Sequence, residues 1–404
     1  MSEFDKSVSV IGLGYIGLPT AALLSHKGYM VKGYDLNEKA VNTINKGQVH
    51  IVEPDLENYV STSVKSGNLK AFNVLQPAEI YIICVPTPFE LNTNQPDLSY
   101  VFDAAKQISR LIKKGDLVIL ESTSPVGTTK KVYEIFKEEG IDTSSIFLSY
   151  CPERVLPGKI MVELVTNDRI IGGINNISTD KAADFYHTFV DGDVKKTDSK
   201  TAEMCKLTEN SFRDVNIAFA NELSVICENE GINVWDLIKL ANLHPRVDIL
   251  QPGTGVGGHC IAVDPWFIVA NDPKNSLIIK TARLVNNQKP KWIVSKVAEA
   301  IDNENLLNPK IACLGLAFKP NIDDLRESPA IEVYEELSRK YERVFAVEPN
   351  IDQNFKDFAI YSLEDAIKES DIVVILVKHK EFLSPGMRMM LKKKMIFDFC
   401  GALQ

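Results

Sequence analysis

No two cysteines in the sequence form a C-x-x-C pair, and their number is odd. The seven, Cys84, Cys151, Cys205, Cys227, Cys260, Cys313 and Cys400, are scattered along 404 residues. That spacing excludes a disulfide framework and a zinc ribbon, and reduced thiols suit a cytoplasmic setting. A long apolar run is lacking too. No segment approaches the roughly 18–20 apolar residues that span a bilayer. The polar start, followed closely by Gly12 and Gly14, does not read as an export signal. Positive charge is in deficit, with 45 Lys and Arg against 54 Asp and Glu and a net charge of −9. Non-specific binding to nucleic acid or an anionic membrane is therefore excluded, while a local basic pocket for a small anion stays open. Low-complexity stretches and a sharp internal repeat are absent as well.

What is present is an ordinary globular mix, 45% hydrophobic and 25% charged. At about 150 residues per domain, the length suits two or three domains. Short Val- and Ile-rich runs at 8–11, 30–33, 80–85, 117–121 and 146–150 read as buried strands. Helical segments at 19–27, 38–46, 100–112 and 129–139 alternate with them, which predicts a parallel sheet with helices on both faces. Between Gly192 and Gly231 there is neither Gly nor Pro, and Leu207, Val215, Ala218, Phe219 and Ile226 recur near helical spacing. This predicts one long helix, broken near its start, with helical pattern continuing at 234–241 and 278–301. Such a helix joins domains and offers a dimer surface. From Pro309 the α/β rhythm returns, with strands expected at 311–316, 344–347, 372–377 and 395–399 and a helix at 328–341.

Two segments carry chemistry. The first, V-S-V-I-G-L-G-Y-I-G at 8–17, is a strand running into G-x-G-x-x-G at Gly12, Gly14 and Gly17. These glycines permit a tight turn, close backbone approach to a pyrophosphate, and close helix–strand packing. The helix that follows points its N-terminal N–H groups and positive dipole end at the phosphates. A second strand ends in Asp35, eighteen residues after Gly17, placed to accept ribose hydroxyls and repel a 2′-phosphate. NAD is the expected cofactor.

The second segment, G-T-G-V-G-G-H-C-I-A-V-D-P at 253–265, crowds glycines around His259 and Cys260. Taken alone, a cysteine in an apolar run is a packing residue. No other Cys or His sits at ligand spacing, which argues against a metal. Beside an NAD site, a nucleophilic thiolate is the third reading. An aldehyde is a poor hydride donor, but its thiohemiacetal with a thiolate is a good one, and the resulting thioester hydrolyses to an acid. Lys206 and Asn210, four residues apart on one helix face, could present a cation and an amide donor to an oxyanion. Spacing alone favours a solvated helix face. Asp264 suits an orienting or helix-capping carboxylate.

Five motifs together resemble the nucleotide-sugar 6-dehydrogenases of the UDP-glucose/GDP-mannose dehydrogenase family. They are G-L-G-Y-I-G at 12–17, E-S-T-S-P-V-G-T-T at 121–129, C-P-E-R-V-L-P-G at 151–158, G-V-G-G-H-C-I-A-V-D-P-W-F at 255–267 and L-A-F-K-P-N-I-D-D-L-R-E-S-P at 316–329. The resemblance implies an α/β architecture: two Rossmann-like doubly wound domains joined by a central all-helical domain. Its expected bounds are 1–192 for NAD binding, 193–305 for dimerisation and catalysis, and 306–404 for the UDP-sugar. It further implies NAD-dependent four-electron oxidation of the C6 hydroxyl of a UDP-sugar for surface polysaccharide synthesis. UDP-N-acetyl-D-mannosamine is the expected substrate, with the N-acetylglucosamine epimer as alternative. A homodimer is implied, with Arg246 reaching the neighbouring subunit's substrate.

By motif position, the resemblance makes Cys260 the nucleophile and Lys206 and Asn210 the oxyanion partners. Asp264 assists with protons or water, and Glu153 acts with Thr123 near the reacting carbon. Tyr15, Ile16, Thr87, Thr123 and Arg326 fall at cofactor contacts. Arg154, Val155, Arg213, His259, Phe318 and Lys319 fall at substrate contacts. Pro157 stands where UDP-glucose enzymes carry a second glutamate, which argues against UDP-glucose and leaves Glu153 more of the hydrolysis. Cys400 stands where a basic residue is common, so no contact is carried over there. A two-electron β-hydroxyacid dehydrogenase shares the domain plan without needing Cys260, and a non-catalytic nucleotide-sugar sensor would bind both ligands without producing NADH.

Overall fold

A computed structural model describes residues 7–90, 95–258, 260–352 and 355–404. The chain divides into two compact units, Met1–Thr208 and Glu209–Gln404.

The first unit runs β1 (Ser7–Ile11), α1 (Gly17–His26), β2 (Met30–Tyr34), α2 (Glu38–Asn45), α3 (Leu56–Lys65) and β3 (Leu69–Phe72). It continues with β4 (Ile80–Ile83), α4 (Ser99–Ser109), β5 (Leu117–Leu120) and α5 (Thr128–Glu138). After these come β6 (Phe147–Tyr150), α6 (Ile160–Thr166), β7 (Arg169–Gly173), α7 (Asn176–Tyr186) and β8 (Val194–Asp198). Among the described residues these strands form one eight-stranded sheet ordered β8-β7-β6-β5-β4-β1-β2-β3. Strand alternation splits each run between two cores. Ile80 and Ile82 pack with Val8, Val10 and the Leu18–Leu24 face of α1, while Tyr81 and Ile83 pack with Val101, Val132 and Phe136. A sheet covered on both faces needs apolar residues at successive positions, which is why β4 and β5 are wholly buried.

Two details depart from the sequence reading. The sheet is mixed, because β7 runs antiparallel to β6. The start of the expected long helix, Val194–Asp198, is instead the edge strand β8, paired with β7. The break falls at Asp198, whose carboxylate accepts from the Thr201 N–H at 3.1 Å and the Thr201 hydroxyl at 2.7 Å. An N-terminal cap lets a helix begin straight from a strand, with no Gly or Pro to mark the change.

From there α8 (Ser199–Glu230) runs on into the second unit, followed by α9 (Val234–Ala241), α10 (Asp264–Asn271) and α11 (Leu277–Asn303). The C-terminal part is β9 (Lys310–Leu314), α12 (Pro329–Lys340), β10 (Arg343–Val347), α13 (Leu363–Glu369), β11 (Ile372–Ile375), α14 (Pro385–Met390) and β12 (Met395–Asp398). Its parallel sheet has the order β10-β9-β11-β12. Ile311, Cys313 and Val374 face α11 and α12, while Ala312, Leu314 and Val373 face α13 and α14. Among the described residues no helix is long and apolar enough to cross a membrane.

Candidate active site

The glycine loop between β1 and α1 is built on β2. Gly12 N–H donates to the Tyr34 carbonyl at 2.8 Å, and Leu13 N–H donates to Asp35 Oδ2 at 2.8 Å. The other Asp35 oxygen accepts from Asn37 N–H at 2.8 Å, so the carboxylate is fixed beside the loop at the end of β2. A Cβ on Gly17 would stand 1.7 Å from the Gly12 carbonyl oxygen, so no other residue fits. At Gly14 a Cβ would meet nothing within 4 Å, and that open side is where a pyrophosphate can approach. Tyr15 and Ile16 complete the loop, and no side chain caps the first turn of α1. β1 and β4 are neighbours at the point where strand order reverses, the usual dinucleotide crevice. Half-buried Thr87 follows β4, and half-buried Thr123 follows β5. These residues fit NAD.

At the same carboxyl edge of the sheet lies Glu153, after β6. It is buried, its Oε2 accepts from Arg169 Nη1 at 2.6 Å, and its Oε1 accepts from Arg154 N–H at 2.6 Å. Glu121, after β5, is buried as well, bonded to the Tyr186 hydroxyl and, at 3.2 Å, to Cys84 Sγ. Burial, and next the charge of Glu153, raise the Glu121 carboxyl above its ordinary range. Two further glutamates hold the loops. Glu53 accepts from Gly158 and Ile160 N–H at 2.8 and 2.7 Å, closing the C-P-E-R-V-L-P-G turn at the start of α6. Glu203, on α8, accepts from the Gly127 and Thr129 amides at 2.6 and 2.7 Å, capping α5. Neither Arg169, Glu203 nor Glu53 is legible from motif position, because each acts on a loop distant in sequence. Arg154 and Val155 are half-buried in the Glu153 loop, and Pro157 is exposed there.

In the second unit, Cys260 is the exposed thiol among the seven cysteines. Burial pushes the thiols of Cys151 and Cys313 up to about 12, and it raises Cys84 and Cys400 as well. The Cys260 carbonyl accepts from Asp264 N–H at 2.9 Å, so Cys260 sits one turn before α10. Asn210 Nδ2 donates to the buried carboxylate of Asp264 at 2.5 Å, joining α8 to α10. Lys206 lies one helical turn before Asn210 on α8 and is half-buried. The glycine run before Cys260 is tied at its start, where Gly253 N–H donates to Asn221 Oδ1 at 2.8 Å. Asn221 is held by Asn286, and Asn286 with Arg283 holds buried Asp214.

Those glycines lie against the L-A-F-K-P-N-I-D-D-L-R-E-S-P loop at 316–329. A Cβ on Gly258, whose φ is +81°, would stand 2.9 Å from the Phe318 ring, and Gly258 N–H donates to the Arg326 carbonyl at 3.3 Å. Cys260, Phe318 and Arg326 thus belong to adjoining loops. Arg326 is exposed and forks onto Asp324 at 2.8 and 2.6 Å, with half-buried Lys319 nearby in sequence. Glu348, at the end of β10, anchors this loop by accepting from the Leu316 and Ala317 amides and from His379 Nε2. His379 Nδ1 in turn accepts from Asn321 N–H at 2.9 Å. Arg213 and Arg246 are exposed, on α8 and after α9. His259 lies outside the described residues.

The glycine loop, with the Asp35 carboxylate fixed beside it, defines a dinucleotide-dependent dehydrogenase. The chain belongs to the UDP-glucose/GDP-mannose dehydrogenase family, whose NAD binding domain matches residues 6–190, central domain 200–288 and UDP binding domain 312–404. It is 53% identical over 399 residues to a UDP-N-acetyl-D-mannosamine dehydrogenase of Campylobacter jejuni, covering 95% of this chain and 97% of that one. An NDP-N-acetyl-D-galactosaminuronic acid dehydrogenase of Ralstonia nicotianae is 51% identical over 390 residues, covering 93% and 92%. The solved UDP-D-ManNAc dehydrogenase of Pyrococcus horikoshii superimposes with a TM-score of 0.91 at 38% identity, covering 98% and 96%.

Proposed function

We propose that the protein oxidises the C6 hydroxyl of UDP-N-acetyl-D-mannosamine to UDP-N-acetyl-D-mannosaminuronate, a donor for surface polysaccharide. The observation that carries the reading is Cys260, an accessible thiol in a glycine loop laid against Phe318. The Campylobacter and Pyrococcus relatives support the sugar.

NAD, when bound, accepts a hydride at each of the two oxidation steps. The chain's own residues do the rest. The Cys260 thiolate adds to the C6 aldehyde to give a thiohemiacetal, and loss of hydride from that carbon leaves a thioester. Lys206 and Asn210 stabilise the oxyanions of the alkoxide and tetrahedral states. Asp264, bonded to the Asn210 amide, aims that donor. Glu153, seated by Arg169, takes a proton from the attacking water in thioester hydrolysis, which returns the free thiol and an acid. Thr123 assists at the same carbon. Arg154, Val155, Arg213, Phe318 and Lys319 bind the UDP-sugar, and Arg326 and Thr87 bind the cofactor.

Phe219 and Ile278 are 51% and 72% exposed on an apolar face of α8 and α11 that also includes Val215, Leu277 and Val285. A second copy covers this face in our reading, and Arg246 then serves the partner's substrate.

The similarity to the Ralstonia enzyme favours a second reading, oxidation of a galacto-configured N-acetylhexosamine nucleotide. A panel of UDP-N-acetylmannosamine, UDP-N-acetylglucosamine, UDP-N-acetylgalactosamine and UDP-glucose separates them by kcat/KM. The mannosamine substrate is expected to lead. A higher kcat/KM with any other member overturns the assignment.

A further inference from the structure

We propose that Arg169 is the positioning residue of Glu153, fixing which lone pairs of that carboxylate remain free for the hydrolytic water. The proposal rests on the reading of Glu153 as the carboxylate that acts in thioester hydrolysis.

Arg169 opens β7, the strand that reverses direction in the sheet, and only 2% of it is exposed. One arm of its guanidinium, Nη1, donates to Glu153 Oε2 at 2.6 Å, while the other, Nη2, donates to the Leu164 carbonyl at 3.0 Å. Its Cζ stands 5.6 Å from the centre of the Tyr186 ring. Glu153 Oε1 is tied separately to its neighbour's amide at 2.6 Å. A carboxylate offers about four acceptor sites. Here one on each oxygen is taken by a fixed donor, so both the plane of the carboxylate and the direction of its remaining lone pairs are set.

Stability does not account for this arrangement. Replacing a buried ion pair with packed apolar residues is commonly neutral or favourable, so a buried arginine and glutamate call for another reason. A second buried carboxylate, Glu121, lies in the same cluster with Tyr186, Cys84 and Cys151, and Arg169 is the cation that faces it and Glu153 together. Arginine suits the task because its planar fork spans Glu153 and the Leu164 carbonyl at once. A lysine keeps the charge but cannot hold two fixed directions.

The test is transient kinetics on Arg169→Lys, with Arg169→Met and Glu153→Gln alongside. Both hydride transfers precede the step that needs Glu153. Arg169→Lys is therefore expected to give a burst of two NADH per site, followed by turnover slowed on the order of 10²-fold, as misplaced catalytic groups commonly produce. The thioester on Cys260 should accumulate and be visible by intact mass. Arg169→Met should be at least as slow wherever it folds. A merely structural arginine would lower burst and turnover together with the folded fraction. Normal turnover in Arg169→Lys, or slowed turnover without accumulated thioester, overturns the proposal. Glu153→Gln separates the two layers: if it too fails to accumulate thioester, the reading of Glu153 falls. If it accumulates thioester while Arg169→Lys does not, only the positioning role falls.

Discussion

Cys260 differs from the other six cysteines in environment rather than in chemistry. Burial raises Cys84, Cys151, Cys313 and Cys400 away from the thiolate, whereas Cys260 is exposed on a loop. A serine at this position keeps the shape but loses the sulfur nucleophile. Cys260→Ser is expected to lower uronate formation by at least about 10³-fold. Product analysis by chromatography checks this, and uronate at the parent rate would rule out the covalent route. Cys260, Gly17 and Asp35 stand out in sequence because their roles depend on local spacing. Arg169 and Glu203 do not, since their partners lie 16 and 74–76 residues away and no local pattern marks a pairing formed by folding.

Among the elements, those with strong periodicity or turn residues are legible to within a few positions, α8 apart from its start. The edge strand β8 and its neighbour β7 are not, because the short runs V-K-K-T-D and R-I-I-G-G carry little apolar signal. In the C-terminal unit the element that matters most is the loop after β9, which carries Phe318, Lys319 and Arg326. Glu348 holds its start through the Leu316 and Ala317 amides, and His379 holds its middle through Asn321. Burial alone would raise the Glu348 carboxyl, yet hydrogen bonds from His379 and from the Leu316 and Asn350 amides hold it down to about 2, against an ordinary 4.5. A carboxyl depressed in the folded state contributes stability above its unfolded value and loses it as pH falls toward the folded one. Glu348→Gln should therefore flatten the loss of stability between about pH 4.5 and 2 relative to the parent. Urea unfolding across that window measures it, and parallel profiles for the two proteins would contradict the assignment.

Across the whole molecule, a net charge of −9 coexists with ligands that each carry a pyrophosphate. Reception of anions therefore falls to local features, namely the glycine loop, the N-terminus of α1 and single basic side chains. The same scale includes assembly. Phe219→Asp sets a charge on the apolar face of α8 that the proposed dimer covers, and light scattering is expected to show a dimeric parent and a monomeric variant. A monomeric parent, or a mass unchanged by the substitution, would overturn that proposal. Above all, the proposed route carries a primary alcohol to an acid through a thioester within one protein, and its sharpest check is the count of reduced cofactor against sugar. With limiting UDP-N-acetyl-D-mannosamine and excess NAD, the thioester route requires two NADH for each sugar consumed and one uronate formed. One NADH per sugar, with an aldehyde as the product, would contradict it.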